Sequence, residues 1–274
     1  MNRLAALARD RVHWLVSVAV LDAVNARAPE MIDHGSYFTA NALSHNFGSP
    51  VVWFAIVAAA MIAFASNAPT EPLRRGDCLM IAAGLIAALA PMPRAGALMV
   101  AAIGLWLALA APGRSRARRC GVVLSALAGT LVWGHLVLAL VGRYVLPIDG
   151  ALAGLFGHVV QTGNVLRFPG SDEMMVIADG CSSLHNVTLA LLLWASLTQL
   201  LDIGLSRASL AVCLGAIVAN VAVNVGRLIT LVHHHGSFGY WHSGAGGALF
   251  AWAGLVASAV IVYGGCYALA PRRV

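Results

Sequence analysis

Of the 274 residues, 60% are hydrophobic and 10% charged, whereas a soluble domain of this length carries about a quarter charged residues. That balance, with a mean hydropathy of +0.82, excludes an ordinary soluble domain and points to an all-α polytopic membrane protein. The formal charge of +6 does not point to nucleic acid, because the basic residues sit in short stretches between apolar runs rather than on one folded face.

Eight apolar runs read as candidate spans of a hydrocarbon core roughly 30 Å thick. They are residues 11–27, 50–66, 77–90, 96–111, 120–141, 182–201, 209–232 and 245–270. The first is interrupted by Asp22 and the third is short, so either suits a tilted, re-entrant or interfacial segment. Residues 1–11 resemble a positively charged leader, but no small-residue cleavage site follows, so the first run reads as a retained helix. Arg3, Arg9 and Arg11 precede the first run, and Arg74 and Arg75 follow the second. Arg114, Arg116, Arg118 and Arg119 follow the fourth, Arg207 the sixth, and Arg272 and Arg273 the eighth. With eight spans, all of these lie on one side, which makes that side and both termini cytoplasmic, with Arg94, Arg143 and Arg167 as exceptions on the other side.

Two outer segments are long. Residues 28–49 read as an ordered loop or a surface-lying helix. Residues 142–180 read as a longer outer loop before the sixth span, with Phe168-Pro169-Gly170 as a turn and 173–178 as an extended arm. Neither an internal repeat nor a linker is visible, so residues 1–274 read as a single integral-membrane domain.

None of the five cysteines, Cys78, Cys120, Cys181, Cys213 and Cys266, has CxxC or metal-ligand spacing, so no zinc site or disulfide framework is expected. Four lie in or beside apolar runs, where a cysteine serves as a small packing residue. Cys181 differs: it stands where the polar stretch Ala178-Asp179-Gly180-Cys181-Ser182-Ser183 gives way to the sixth run. Parity places it at the outer N-terminal end of that span. Arg227 falls near the outer end of the seventh span and His242 just ahead of the eighth. A thiol at a helix N-terminus is drawn toward the thiolate, an arginine can donate to an oxyanion, and a histidine exchanges protons near neutrality. The plainer readings are a packing cysteine, a snorkelling arginine and an interfacial histidine beside Trp241.

Four further features bear on this trio. Ser182 or Ser183 can cap the sixth helix. Asn224 can orient Arg227 or His242, or serve as a polar contact between helices. Asp179 can hold His242 or Arg227 in place, and His185 with Asn186 can line a substrate entrance. His233-His234-His235 suggests a metal cluster, but neighbouring side chains on a helix diverge, so a polar interfacial cap is the reading adopted.

The segments Gly163-Asn164-Val165-Leu166-Arg167-Phe168-Pro169-Gly170 and Val176-Ile177-Ala178-Asp179-Gly180-Cys181-Ser182-Ser183-Leu184 resemble the exosortase/archaeosortase family of membrane cysteine transpeptidases. Asn224-Val225-Gly226-Arg227-Leu228-Ile229 is similar to that family's N-x-x-R-I block, and His242 to Phe250 to its histidine–glycine–phenylalanine block. The likeness covers roughly residues 163–250. Ser183 stands where the family usually has Gly, and His185 near where it often has arginine. The resemblance implies Cys181, Arg227 and His242 as catalytic residues and no metal or organic cofactor. Its substrates would be exported proteins with a PEP-CTERM-type tail: a short motif, a membrane helix and a basic end. An amine-bearing lipid or glycan would accept the product, at the outer face of the cytoplasmic membrane. Rival readings are a channel or transporter, a histidine-based metal protein, and a non-catalytic assembly subunit.

Overall fold

The computed structural model describes residues 10–32, 50–65, 69–90 and 92–270, and of 27–32, 135 and 179 the backbone only. Residues 33–49, and with them most of the first outer segment, lie outside the described residues. The described chain falls into two compact units: one comprises residues up to 133 with 192–204 and the C-terminus, the other 134–191 with 205–269.

The first unit contains α1 (Arg11–Ile32), α2 (Pro50–Ala63), α3 (Arg75–Leu89), α4 (Pro93–Ala110) and α5 (Arg116–Ala128). Proline opens α2 and α4 at the position where a missing N–H costs nothing, and Ser115 caps α5 by accepting from Arg118 N–H at 3.3 Å. A charged network ties the ends together. Arg11 forks onto buried Asp77 with two bonds of 2.9 Å, Trp106 Nε1 donates to the same carboxylate at 2.7 Å, and Arg116 pairs with Asp10. Asp10 also accepts from Val12 N–H at 2.9 Å, capping α1. Each guanidinium therefore has a carboxylate partner, as burial of charge requires.

A π-helical turn, Gly129–Trp133, carries the chain on from α5 into α6 (Gly134–Gly157). The second unit then adds a small antiparallel sheet and α8 (Arg207–His233), α9 (Phe238–His242) and α10 (Ala245–Leu269). Its strands are β1 (Gln161–Thr162), β2 (Val165–Arg167) and β3 (Met174–Val176), in the order β1-β2-β3. Between the sheet and α8 lies α7 (Ser183–Leu200), whose first half belongs to this unit. Ser206 caps α8 by accepting from Ser209 N–H at 3.1 Å.

Two expectations change here. The fold is not purely helical, and the region read as a long outer loop from 142 is structured. α6 runs through Pro147 to Gly157, and the hairpin and meander follow. Gly163 opens the two-residue β1–β2 turn at φ +61°, a conformation glycine adopts without strain, and Gly170 at φ +71° follows Pro169 as expected. One face of the sheet buries Leu166, Phe168, Met175 and Ile177 against Leu228, Leu231 and Val232 of α8, and Cys181 belongs to the same apolar cluster. At the end of α6, a Cβ on Gly157 would lie 2.7 Å from Ile229 Cγ1, so only glycine permits this approach to α8.

Four helical stretches among the described residues are long and apolar enough to cross a membrane: Pro93–Ala110, Leu136–Gly157, Arg207–His233 and Ala245–Leu269. Pro50–Ala63 is apolar but shorter.

Candidate active site

The site is built on α8. Asn220, Asn224 and Arg227 recur at spacings of four and three, and so share one face of that helix. Asn220 donates to Ser258 Oγ on α10, anchoring the stripe. One turn on, Asn224 is 2% exposed and donates from Nδ2 to the carbonyl of Cys181 at 2.9 Å. After a further turn, half-buried Arg227 donates from Nη2 to the carbonyl of His242 at 2.8 Å. One helix face thus grips the backbone of two residues 61 positions apart in the chain.

Their side chains meet. Cys181 Sγ lies 3.5 Å from His242 Nε2. The cysteine ends a tight 3-10 turn, Asp179–Cys181, closed by its own N–H on the carbonyl of Ala178 at 2.9 Å, and it is 7% exposed. The histidine ends α9, where its ring stacks on Phe238 at 5.0 Å and 14°. Burial, and next the charge of Arg227, hold the imidazole pKa below its ordinary value. That shift favours the neutral imidazole, the form that can accept a proton. A thiol within contact of such a nitrogen has the arrangement of an activated nucleophile and its base.

Arg227 is not fully satisfied. Its Nε is buried with no hydrogen-bond partner, and among the described residues no carboxylate pairs with it. One of its five N–H donors is thus uncommitted within the protein.

The turn around Cys181 is held from the other side by a residue the sequence did not single out. Asp149 of α6, 2% exposed, accepts from Ser183 N–H at 2.9 Å and also from Ser183 Oγ. A carboxylate at this point satisfies a free N–H at the start of α7 and complements the positive end of its dipole. The signal was a lone acid in an otherwise apolar stretch, masked because residues 142–180 read as solvated loop. Ser182 accepts from Leu184 N–H at 3.2 Å, as the capping argument expects.

The remaining candidates divide. Asn224 binds the Cys181 carbonyl rather than orienting Arg227 or His242, which corrects that expectation. His185 is exposed and Asn186 half-buried in the first turn of α7. The side chain of Asp179 lies outside the described part of the structure. The three adjacent histidines face three separate neighbours. His233 Nε2 donates to the Gly157 carbonyl at 2.9 Å, His234 tilts against Trp241 at 6.1 Å, and His235 stacks on Phe168 at 5.5 Å.

A family model described as transmembrane exosortase matches residues 13–259. Neither a curated protein nor a solved structure matches the chain.

Proposed function

Because the chain belongs to the transmembrane exosortase family, we propose that it is a cysteine transpeptidase acting on exported proteins with a C-terminal sorting tail. The observation that carries this reading is the 3.5 Å contact between Cys181 Sγ and His242 Nε2, beside a guanidinium with spare donors.

As the Cys181 sulfur bonds to the scissile carbonyl carbon, the thiol proton passes to His242 Nε2. Negative charge moves to the carbonyl oxygen, where the Arg227 guanidinium stabilises it. When the C–N bond breaks, the imidazolium returns its proton to the leaving nitrogen, and the exported protein remains as a thioester on Cys181. An amine-bearing lipid or glycan precursor, or water, then attacks the thioester. His242 takes the attacker's proton, the C–S bond breaks, and the thiol is restored. Asn224 and Asp149, with Ser182 and Ser183, position the turn that carries the sulfur. The residues at hand complete every proton transfer, so no cofactor is invoked.

The substrate tail is a short motif, one membrane helix and a basic end, of PEP-CTERM type. In this reading the chain is a single integral-membrane domain with eight spans and both termini cytoplasmic. The site faces the outside of the cytoplasmic membrane. The placement of basic residues supports that orientation. Protease added to the outside of intact cells should leave a C-terminal tag uncut; a cut tag contradicts the orientation.

The mechanism is tested with a co-expressed reporter bearing a PEP-CTERM-type tail. Cys181→Ala should accumulate in the membrane while tail removal falls on the order of 10⁴-fold, as loss of a nucleophile requires. Tail removal at the wild-type rate by Cys181→Ala would refute the proposal.

A further inference from the structure

Among the described residues, the strand that leads into Cys181 is paired along one edge only. β3 is last in the sheet order and pairs with β2 on one side only. The register is Val165↔Val176, Leu166↔Met175 and Arg167↔Met174. On either side of it, Phe168 N–H donates to the Glu173 carbonyl at 3.1 Å and Ile177 N–H to the Asn164 carbonyl at 2.8 Å. Hydrogen-bonded pairs alternate along an antiparallel ladder, so residues 173, 175 and 177 direct their backbone groups toward β2. Met174 and Val176 therefore turn their N–H and C=O groups to the open side, and both side chains are 59% exposed. Such an edge is a template for another extended chain unless it is blunted. β3 is short, at three residues, and carries neither proline nor lysine.

A cavity of about 440 Å³ is lined by Glu173, Met174, Met175 and Val176 together with Phe168, His235 and Phe238. Phe238 is also the ring on which His242 stacks, and five residues after Val176 the chain reaches Cys181. The cavity is thus bounded by the strand that delivers the thiol and by the ring that seats the imidazole.

We propose that β3 is the docking strand for the substrate. An extended peptide segment on the N-terminal side of the scissile bond adds to it as a fourth strand. This rests on the transpeptidase reading above and specifies how that site takes its substrate. The chemistry of the edge selects the occupant. Outward N–H and C=O groups recurring every second residue are matched by another extended backbone, and a headgroup or sugar offers no such ladder. The membrane helix of a sorting tail has its backbone groups closed internally and cannot supply one. The stretch just before the cleaved bond has them free. Recognition then falls on main-chain bonds to Met174 and Val176, with alternate side chains of the segment entering the cavity beside Phe238.

Proline separates this from a merely structural role. On an edge strand, proline at a position whose N–H points outward is compatible with the sheet, yet it removes the donor and obstructs an added strand. Val176→Pro should keep normal membrane levels and normal iodoacetamide labelling of Cys181, while tail removal from the PEP-CTERM-type reporter falls at least tenfold. Val176→Ala should process within about threefold of wild type, since the backbone and not the side chain makes the contact. A second measurement covers misfolding of the proline variant. In a Cys181→Ala background, Val176→Cys is oxidised against single cysteines placed along the reporter before its scissile bond. Crosslink yield should alternate with a period of two. Wild-type processing by Val176→Pro, or yields without that alternation, overturns the docking strand and leaves the Cys181 mechanism standing. Processing by Cys181→Ala alone overturns both.

Discussion

The two units of this chain handle buried arginine in opposite ways. In the first, Arg11 and Arg116 face Asp77 and Asp10, and the Trp106 indole adds a further donor to Asp77. In the second, half-buried Arg227 donates to the carbonyl of His242 and meets no carboxylate among the described residues, whereas a buried guanidinium nitrogen without a partner occurs in both units. A guanidinium matched by a carboxylate is electrostatically spent and contributes to folding. One matched only by a peptide dipole retains its charge for a negative oxygen formed during reaction. The difference separates a structural ionic cluster from the candidate site by partner chemistry.

Breaking the first arrangement should cost stability. Asp77→Ala leaves buried Arg11 with only Glu71, at 3.8 Å, as a carboxylate partner, a loss of about 3 kcal/mol. The expected result is a much lower unfolding temperature in detergent, with normal tail removal per folded molecule. Unchanged melting would show that the network does not hold the first unit together.

Breaking the second should cost rate. On the proposed mechanism, Arg227→Lys keeps the charge but loses the planar fork. Reporter processing should drop roughly 10²–10³-fold with little change in melting temperature. A lysine variant that processes normally would make Arg227 a snorkelling residue instead.

The smallest effect concerns pH. On the proposed mechanism His242 must be neutral to accept the thiol proton, and burial with the Arg227 charge depresses its pKa. A depressed pKa keeps the base neutral further into acid, so the acidic limb of processing should lie below about pH 6.5, the ordinary imidazole value. A limb at or above that value would contradict a buried neutral His242.

Much of this was legible beforehand, for identifiable reasons. Apolar runs at 96–111, 209–232 and 245–270 correspond to α4, α8 and α10, because long uninterrupted hydrophobic stretches specify helices with little help from context. The meeting of residues 181, 227 and 242 followed from parity, since a helical hairpin brings its two ends together. The sequence concealed features that depend on particular tertiary partners. Residues 142–180 read as an outer loop, yet α6 continues through Arg143, Pro147 and Asp149 to Gly157. Asp149 finds Ser183 across 34 residues, a pairing with no periodic trace. Asn224 reaches the Cys181 carbonyl rather than its helix neighbour Arg227, because a buried carbonyl in a tight turn demands a donor and the α8 face provides one. The short sheet was visible only as a turn and an extended arm, its strands being two or three residues long.

The central claim is covalent, and mass spectrometry of the enzyme quenched in acid during turnover of the tail-bearing reporter tests it most directly. The account predicts that the peptide containing Cys181 carries the reporter's new C-terminus as a thioester released by hydroxylamine. An acyl group on any other residue, or continued tail removal with Cys181 always unmodified under rapid quenching, would contradict it.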